Sequence, residues 1–326
     1  MTTSPSITLN RAAGSGTLFT GIACGAGAGA LWGLVFLAPE LARDFSPLQL
    51  SIARYLCYGL IAAGLIAPRW RALSRHVTRR DWINLFWLSL AGNTLYYLFL
   101  SSAVQTGGMA MTSLVIGFMP VAVTIIGSRE RNAVPLVKLV PSLLLCALGA
   151  VAIGWQALGK PATGTVETQV TGLLFAVGAL VSWTTFAIGN ARCLVRLDNI
   201  SSHEWNLLTG IVTGAQNLLL VPLAIAVGSA GHTAGEWAWF GAVAASIAVL
   251  ASVAGNALWN RMSRLLPLTL VGQMILFETI FALIYGFIWE WRMPTVLEAV
   301  TFVLVAGSVV SCLAAHRAPA AEKPAA

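Results

Sequence analysis

Uninterrupted apolar stretches of about twenty residues recur along this chain from residue 17 to residue 315, more than a soluble core could bury. An α-helix rises about 1.5 Å per residue, so roughly 20 apolar residues cross the hydrocarbon of a bilayer. The charges agree: 10% of the 326 residues are charged, where a water-soluble domain carries about a quarter. With 57% hydrophobic residues and a mean hydropathy of +0.80, lipid must solvate much of the surface. The stretches are continuous and rich in Gly, Ala, Leu and Val, not short and alternating, which indicates helices and argues against a β-barrel.

Ten spans are expected, at 17–38, 46–67, 82–103, 107–127, 136–155, 170–190, 205–228, 237–258, 267–289 and 295–315. Helix breakers mark the divisions: Pro39 and Pro47 bracket the first loop, Pro68 closes the second span, and Gly107 with Gly108 separates the third from the fourth. Lys and Arg test the count, because they gather on the cytoplasmic side of a membrane. One set of alternate loops and tails holds Arg11, Arg69, Arg71, Arg75, Arg79, Arg80, Arg129, Arg131, Lys138, Arg192, Arg196, Arg261, Arg264, Arg317 and Lys323. The other holds Arg43, Lys160 and Arg292, while Arg54 falls inside the second span. The 15-to-3 bias predicts both termini in the cytoplasm of a bacterial-type inner membrane. A net charge of +7 dispersed in this way is an orientation signal, and no nucleic-acid partner is expected. The first apolar run has no cleavage-like site after it and is read as a retained helix.

Spans one to five lie over spans six to ten. Trp32 in span one matches Trp183 in span six; Asp81 and Trp82 open span three as Glu236 and Trp237 open span eight. Gly92, Asn93 and Tyr96 match Gly255, Asn256 and Trp259, and Glu130 closes span four as Glu290 closes span nine. Five is odd, so the second half is predicted to be inverted, the arrangement of many secondary transporters. The expected fold is an all-α integral membrane protein: ten transmembrane helices as two inverted five-helix repeats. Its expected parts are a cytoplasmic N-terminal tail (1–16), the first repeat (17–155), an extracytoplasmic linker (156–169), the second repeat (170–315) and a cytoplasmic C-terminal tail (316–326).

The run Ala30, Leu31, Trp32 and Gly33 with Phe36, the pair Arg54 and Tyr55, the triplet Met119, Pro120 and Val121, Glu130, and Gly149 resemble the drug/metabolite transporters of the EamA-like type. The resemblance covers about residues 17–315 and implies ten helices in two inverted halves. The Trp32 context, Tyr96 with Tyr97, and the run from Gly117 to Pro120 look most like the aromatic amino-acid exporters of the YddG type. Span nine departs from many relatives in lacking a proline, with Glu278 in that neighbourhood.

Gly21, Gly25, Gly29 and Gly33 repeat every four residues on span one, a stripe that predicts close helix packing. Substrate contacts are expected from Trp32, Asn93, Tyr96, Tyr97, Phe118, Met119, Trp183, Gln273 and Phe277, an apolar set with few polar groups, as ligand sites commonly are. Pro120 is expected to bend its helix and free a carbonyl near Ile116. Glu278, the one carboxylate deep in a span, and Arg54, the one base there, are candidates for coupling or polar contact. For each aromatic the competing reading is plain packing, and for Glu278 a neutral interhelical hydrogen bond.

The expectation is a secondary transporter exporting small organic solutes, aromatic and other apolar amino acids first, by alternating access through a central cavity. The alternative is a proton-coupled multidrug or metabolite exporter of the same fold; an intramembrane enzyme or a sensor is remote. All four histidines lie in loops or at helix edges, with no HExxH, and the five cysteines form no metal-binding spacing, so no cofactor, metal or catalytic residue is expected. The expected partners are a small-molecule substrate, lipid and, for the coupled alternative, protons, with the oligomeric state left open.

Overall fold

The computed structural model describes residues 15–317 except 43, 131–132, 159–165, 198, 228–230, 290 and 292. Most of the expected tails and half of the 156–169 linker thus lie outside the described residues, as do Arg43, Arg131, Lys160, Glu290 and Arg292, while 156–158 and 166–169 are helical. Among the described residues the regular structure is entirely helical. The main elements are α1 (Ser15–Gly33), α2 (Pro47–Ile66), α3 (Arg79–Ser89), α4 (Tyr96–Ile116), α5 (Met119–Gly127), α6 (Leu136–Leu158) and α7 (Val166–Arg196). They continue with α8 (Ser202–Leu218), α9 (Ala234–Ile247), α10 (Asn256–Leu265), α11 (Leu268–Met274), α12 (Leu276–Trp289) and α13 (Val296–Arg317). Six continuous helical stretches among the described residues are long and apolar enough to cross a membrane: Leu48–Leu73, Arg79–Leu100, Glu167–Arg196, Ala234–Leu265, Leu268–Trp289 and Val296–His316. Leu136–Ala152 is a shorter apolar helix.

Five helices among the described residues start on the same local chemistry, the last of them α13, where Thr295 and Glu298 bond reciprocally. Ser46, Thr78, Ser201 and Thr233 each accept the N–H of the residue three positions on, whose side chain reaches back to the cap's own N–H. These capping boxes satisfy orphan N–H groups that lipid could not. Ser46 and Thr78 are 32 residues apart, and so are Ser201 and Thr233. The two helices begun at Thr78 and Thr233 share a second irregularity. A π-helical segment, Leu90–Leu95, follows α3, and another, Ala248–Gly255, follows α9. Each carries Gly-Asn, at Gly92 and Asn93 within the first and at Gly255 and Asn256 where the second ends.

Three helix pairs pack against each other and run antiparallel: α2 with α8, α6 with α13 and α5 with α11. On α2 and α8, Tyr58 donates to Asn206 Oδ1 at 2.6 Å, while a Cβ on Gly59 would lie 2.9 Å from the Gly214 Cα. On α6 and α13, Ser308 Oγ donates to the Ser142 carbonyl at 2.7 Å, and Gly149 faces Val305 further along. On α5 and α11, Gly127 meets Leu268 and Thr269, and Pro120 meets Gly272. The four glycines of α1 face the α10–α12 region in turn, at Leu266, Met274, Phe277 and Phe281. Close packing through that stripe is what small residues at four-residue spacing provide in lipid.

Helical bonding runs without a break through Gly107 and Gly108, so the division expected there is displaced; the helix ends at Gly117 and Phe118 instead. Pro120 accounts for the new position. It stands in the first turn of α5, where its missing N–H costs nothing, and so begins a helix instead of bending one.

The α8 cap yields a pH prediction. The Glu204 carboxylate accepts the Ser201 N–H at 2.9 Å and the Ser201 hydroxyl at 2.7 Å, which lowers its pKa from the ordinary value of 4.5, with Arg69 adding a smaller effect. A lowered folded-state pKa means stability that is present above pH 4.5 and lost as pH falls below it. Glu204→Gln is expected to remove that acid sensitivity and about 0.5–2 kcal/mol of stability. Thermal melts at pH 4 and pH 7 check it; an unaltered pH dependence in the variant would count against this role for the carboxylate.

Candidate functional site

A cluster of large rings is supplied by α1, α4, α7 and α10. The Trp32 ring lies 4.9 Å from that of Trp259 and 6.3 Å edge-on from that of Trp183. Trp183 is 5.6 Å from Trp259, 6.1 Å from Phe186 and 6.5 Å from Tyr96. Trp32, Trp183, Phe186 and Trp259 are buried, and Tyr96 is half-buried against them.

The π segments shape this cluster. A π turn leaves carbonyls outside the regular helical pattern. In the second segment, the Ala251 carbonyl accepts Trp32 Nε1 at 3.1 Å, and the same N–H lies 3.1 Å from Asn256 Oδ1. In the first, the Ala91 carbonyl accepts the Ser182 hydroxyl at 2.7 Å. Each segment also has a glycine beneath a ring: Gly255 beneath Trp32, and Gly92 beneath Phe186. Phe186 on α7 thus packs over the first π segment much as Trp32 at the end of α1 packs over the second.

A polar group adjoins the rings. Arg54 Nε donates to Ser252 Oγ at 3.0 Å, and its guanidinium lies 5.1 Å from the centre of the Tyr55 ring. Tyr97 meets Tyr55 edge-on at 6.5 Å. Arg54, Tyr55, Tyr97 and Glu278 are all within electrostatic reach of Tyr96. Glu278 is half-buried in the first turn of α12, with its backbone against Gly29, and among the described residues nothing hydrogen-bonds its carboxylate.

Of the residues expected in the site, Trp32, Trp183 and Tyr96 meet in the ring cluster, Arg54 and Tyr97 both lie against Tyr55, and Glu278 is within electrostatic range of Arg54 and Tyr96 without a direct contact to either among the described residues. Phe277 is half-buried beside Gly29, Met119 is buried in the same apolar core, and half-buried Phe118 caps α5. Two amides have packing partners. Asn93 donates to Thr213 Oγ1 at 3.2 Å. Gln273 is fully buried, donates to Thr124 Oγ1 at 3.3 Å and accepts from Ser308 Oγ at 2.8 Å. Sequence reasoning omitted Trp259, Phe186 and Ser252 from the site. Trp259 carried a signal, its match to Tyr96 in the repeat, and its buried Nε1 has no hydrogen-bond partner among the described residues.

Residues 19–155 match the EamA-like transporter family. The chain is 29% identical to the inner membrane protein YtfF of Escherichia coli (strain K12) over 319 residues, covering 90% of this chain and 95% of that protein. A protein of known crystal structure superposes with a TM-score of 0.71 at 20% identity, over 92% of this chain and 98% of the other. At that identity the likeness concerns the fold.

Proposed function

We propose that this chain is a multi-pass inner-membrane transporter of the EamA-like type that exports small organic solutes, aromatic and other apolar amino acids first, by alternating access about the central ring cluster. In this reading the chain makes ten crossings as two inverted five-helix repeats, with both termini cytoplasmic. The antiparallel pairings of α2 with α8, α5 with α11 and α6 with α13, the two equally spaced pairs of capping boxes and the 15-to-3 charge bias support it.

The observation that carries the substrate class is the juxtaposition of Trp32, Trp183, Trp259 and Tyr96 with Arg54 and Glu278. Rings favour an apolar or aromatic body through dispersion and ring–ring contact, about 0.5–1.5 kcal/mol per pair beyond area burial. A zwitterionic end needs one cation and one anion, which Arg54 and Glu278 provide. Both halves contribute to this centre, so a relative movement of the halves would change access to it from one side to the other.

The proton-coupled alternative rests on Glu278, a carboxylate in the first turn of α12 with no hydrogen-bond partner among the described residues. One experiment addresses both readings: counterflow into liposomes containing only this protein, with labelled phenylalanine, tryptophan, threonine and a cationic drug, with and without a pH gradient. Phenylalanine and tryptophan are expected to exchange; failure of all three amino acids would overturn the substrate class. Glu278→Gln is expected to abolish any response to the pH gradient, and unchanged gradient-dependent flux would remove the proton role.

A further inference from the structure

A second cleft, remote from the rings, opens between the two halves where α2 ends and α8 begins. It encloses about 300 Å³ and is lined by Leu65, Ile66, Arg69, His203, Glu204 and Leu207. Its chemistry is divided. Leu65, Ile66 and Leu207 form an apolar wall, and Leu65 is 52% exposed on the side that must face lipid. Arg69 and His203 sit on the rim, with Arg69 Nη1 3.8 Å from Glu204 Oε1. The Arg69 side chain is 77% exposed, so that ion pair is loose and solvent-screened. Glu204 has most of its acceptor capacity engaged by Ser201. Arg69 also begins a strongly basic connection: Arg71, Arg75, Arg79 and Arg80 follow within eleven residues, and Asp81, the nearest acid, is bound into the Thr78 cap. Trp70 and Trp82, ring centres 6.2 Å apart, flank the connection with the amphipathic rings typical of a membrane boundary.

We infer that this cleft binds one anionic glycerophospholipid, its phosphate on Arg69 and His203 and an acyl chain along Leu65, Ile66 and Leu207. Charge complementarity selects that occupant. A basic pocket between transmembrane helices at the membrane surface, with an apolar wall continuous with the bilayer, matches a phosphate headgroup joined to a hydrocarbon tail. A zwitterionic lipid would bring an ammonium beside Arg69 at the start of a basic connection, and a soluble phosphate would leave the apolar wall unused. The lipid phosphate competes with Glu204 for Arg69. Because Arg69 and Glu204 lie on opposite sides of the seam between the halves, occupancy loosens one link across that seam. The inference requires only that the cleft lie at the membrane boundary and is independent of the transported substrate.

Native mass spectrometry of the full chain, titrated with phosphatidylglycerol and separately with phosphatidylcholine, tests this. The wild type is expected to retain one phosphatidylglycerol, and Arg69→Gln to weaken it about fivefold, the factor for one surface charge of ~1 kcal/mol. Arg80→Gln, on the same connection but outside the cleft, is expected to retain the single tight adduct, which separates the site from general surface charge. Equal retention of phosphatidylcholine would overturn the inference, as would equal losses in Arg69→Gln and Arg80→Gln or full displacement of the lipid by inorganic phosphate. A folded Arg69→Gln protein, verified by its melting curve, that binds phosphatidylglycerol like the wild type would overturn it too.

Discussion

Gly29→Ala is expected to cost about 3 kcal/mol or more and to leave little protein competent for transport. A Cβ on Gly29 would stand 2.5 Å from the Phe277 Cβ and 2.7 Å from the Glu278 backbone nitrogen. Side-chain ends can move aside, but backbone cannot, so α1 and α12 would have to separate. The same shift would move Glu278, whose amide lies at the contact, away from Tyr96 and Arg54. Gly64→Ala is the control: nothing lies within 4 Å of a Cβ there, and a helical Gly→Ala change gains about 0.5–1 kcal/mol from propensity. Melting curves in detergent together with flux per folded molecule check both. A Gly29→Ala protein with unchanged stability would mean that the two helices can part at no cost, contrary to the packing described.

Arg54→Ala is expected to abolish transport and to destabilise the protein by about 3 kcal/mol, the scale for one uncompensated charge deep in a membrane. Arg54 holds Ser252 on the second π segment, lies against the Tyr55 ring and is within electrostatic range of Glu278. Removing it leaves the carboxylate without its cation. The double variant Arg54→Ala/Glu278→Gln is therefore expected to recover most of the stability and none of the transport, because the charged groups of the proposed substrate would still lack their partners. Additive stability losses in the double-mutant cycle would show that the two residues do not interact.

The helical, membrane-spanning character of the chain was legible because lipid imposes one rule, that backbone polar groups be satisfied within each segment. The glycine stripe was equally legible, since only small residues permit the contacts seen at Gly21 to Gly33. The helix end at Gly117 was harder to read. Gly107 and Gly108 are the stronger breakers locally, but a helix can continue through glycines at about 1 kcal/mol each, whereas Pro120 enforces a new start. Within the site, the aromatic residues were named on composition and position, and three of them converge. Asn93 and Gln273 were chosen for polarity. Sequence polarity does not distinguish a group directed at a cavity from one directed at a neighbouring helix, and both amides are bonded to neighbouring helices. Ser252 escaped notice, and Trp259 was matched to Tyr96 without being placed in the site, because the π segment that orients them does not announce itself by composition.

Those two segments have a further consequence. A wide turn accommodates one residue more than an α-helical turn, so everything after it is rotated by about 100° relative to a straight continuation. The stretch that begins at Arg79 thus has two phases: α3 faces its neighbours in one, and Tyr96 and Tyr97 take up the other. The stretch from Ala234 does the same, and Trp259 depends on the second phase to reach Trp32. Each segment is therefore a phase shifter built from a single surplus residue, and loss of that residue would turn the rings away from the centre while leaving every capping box intact.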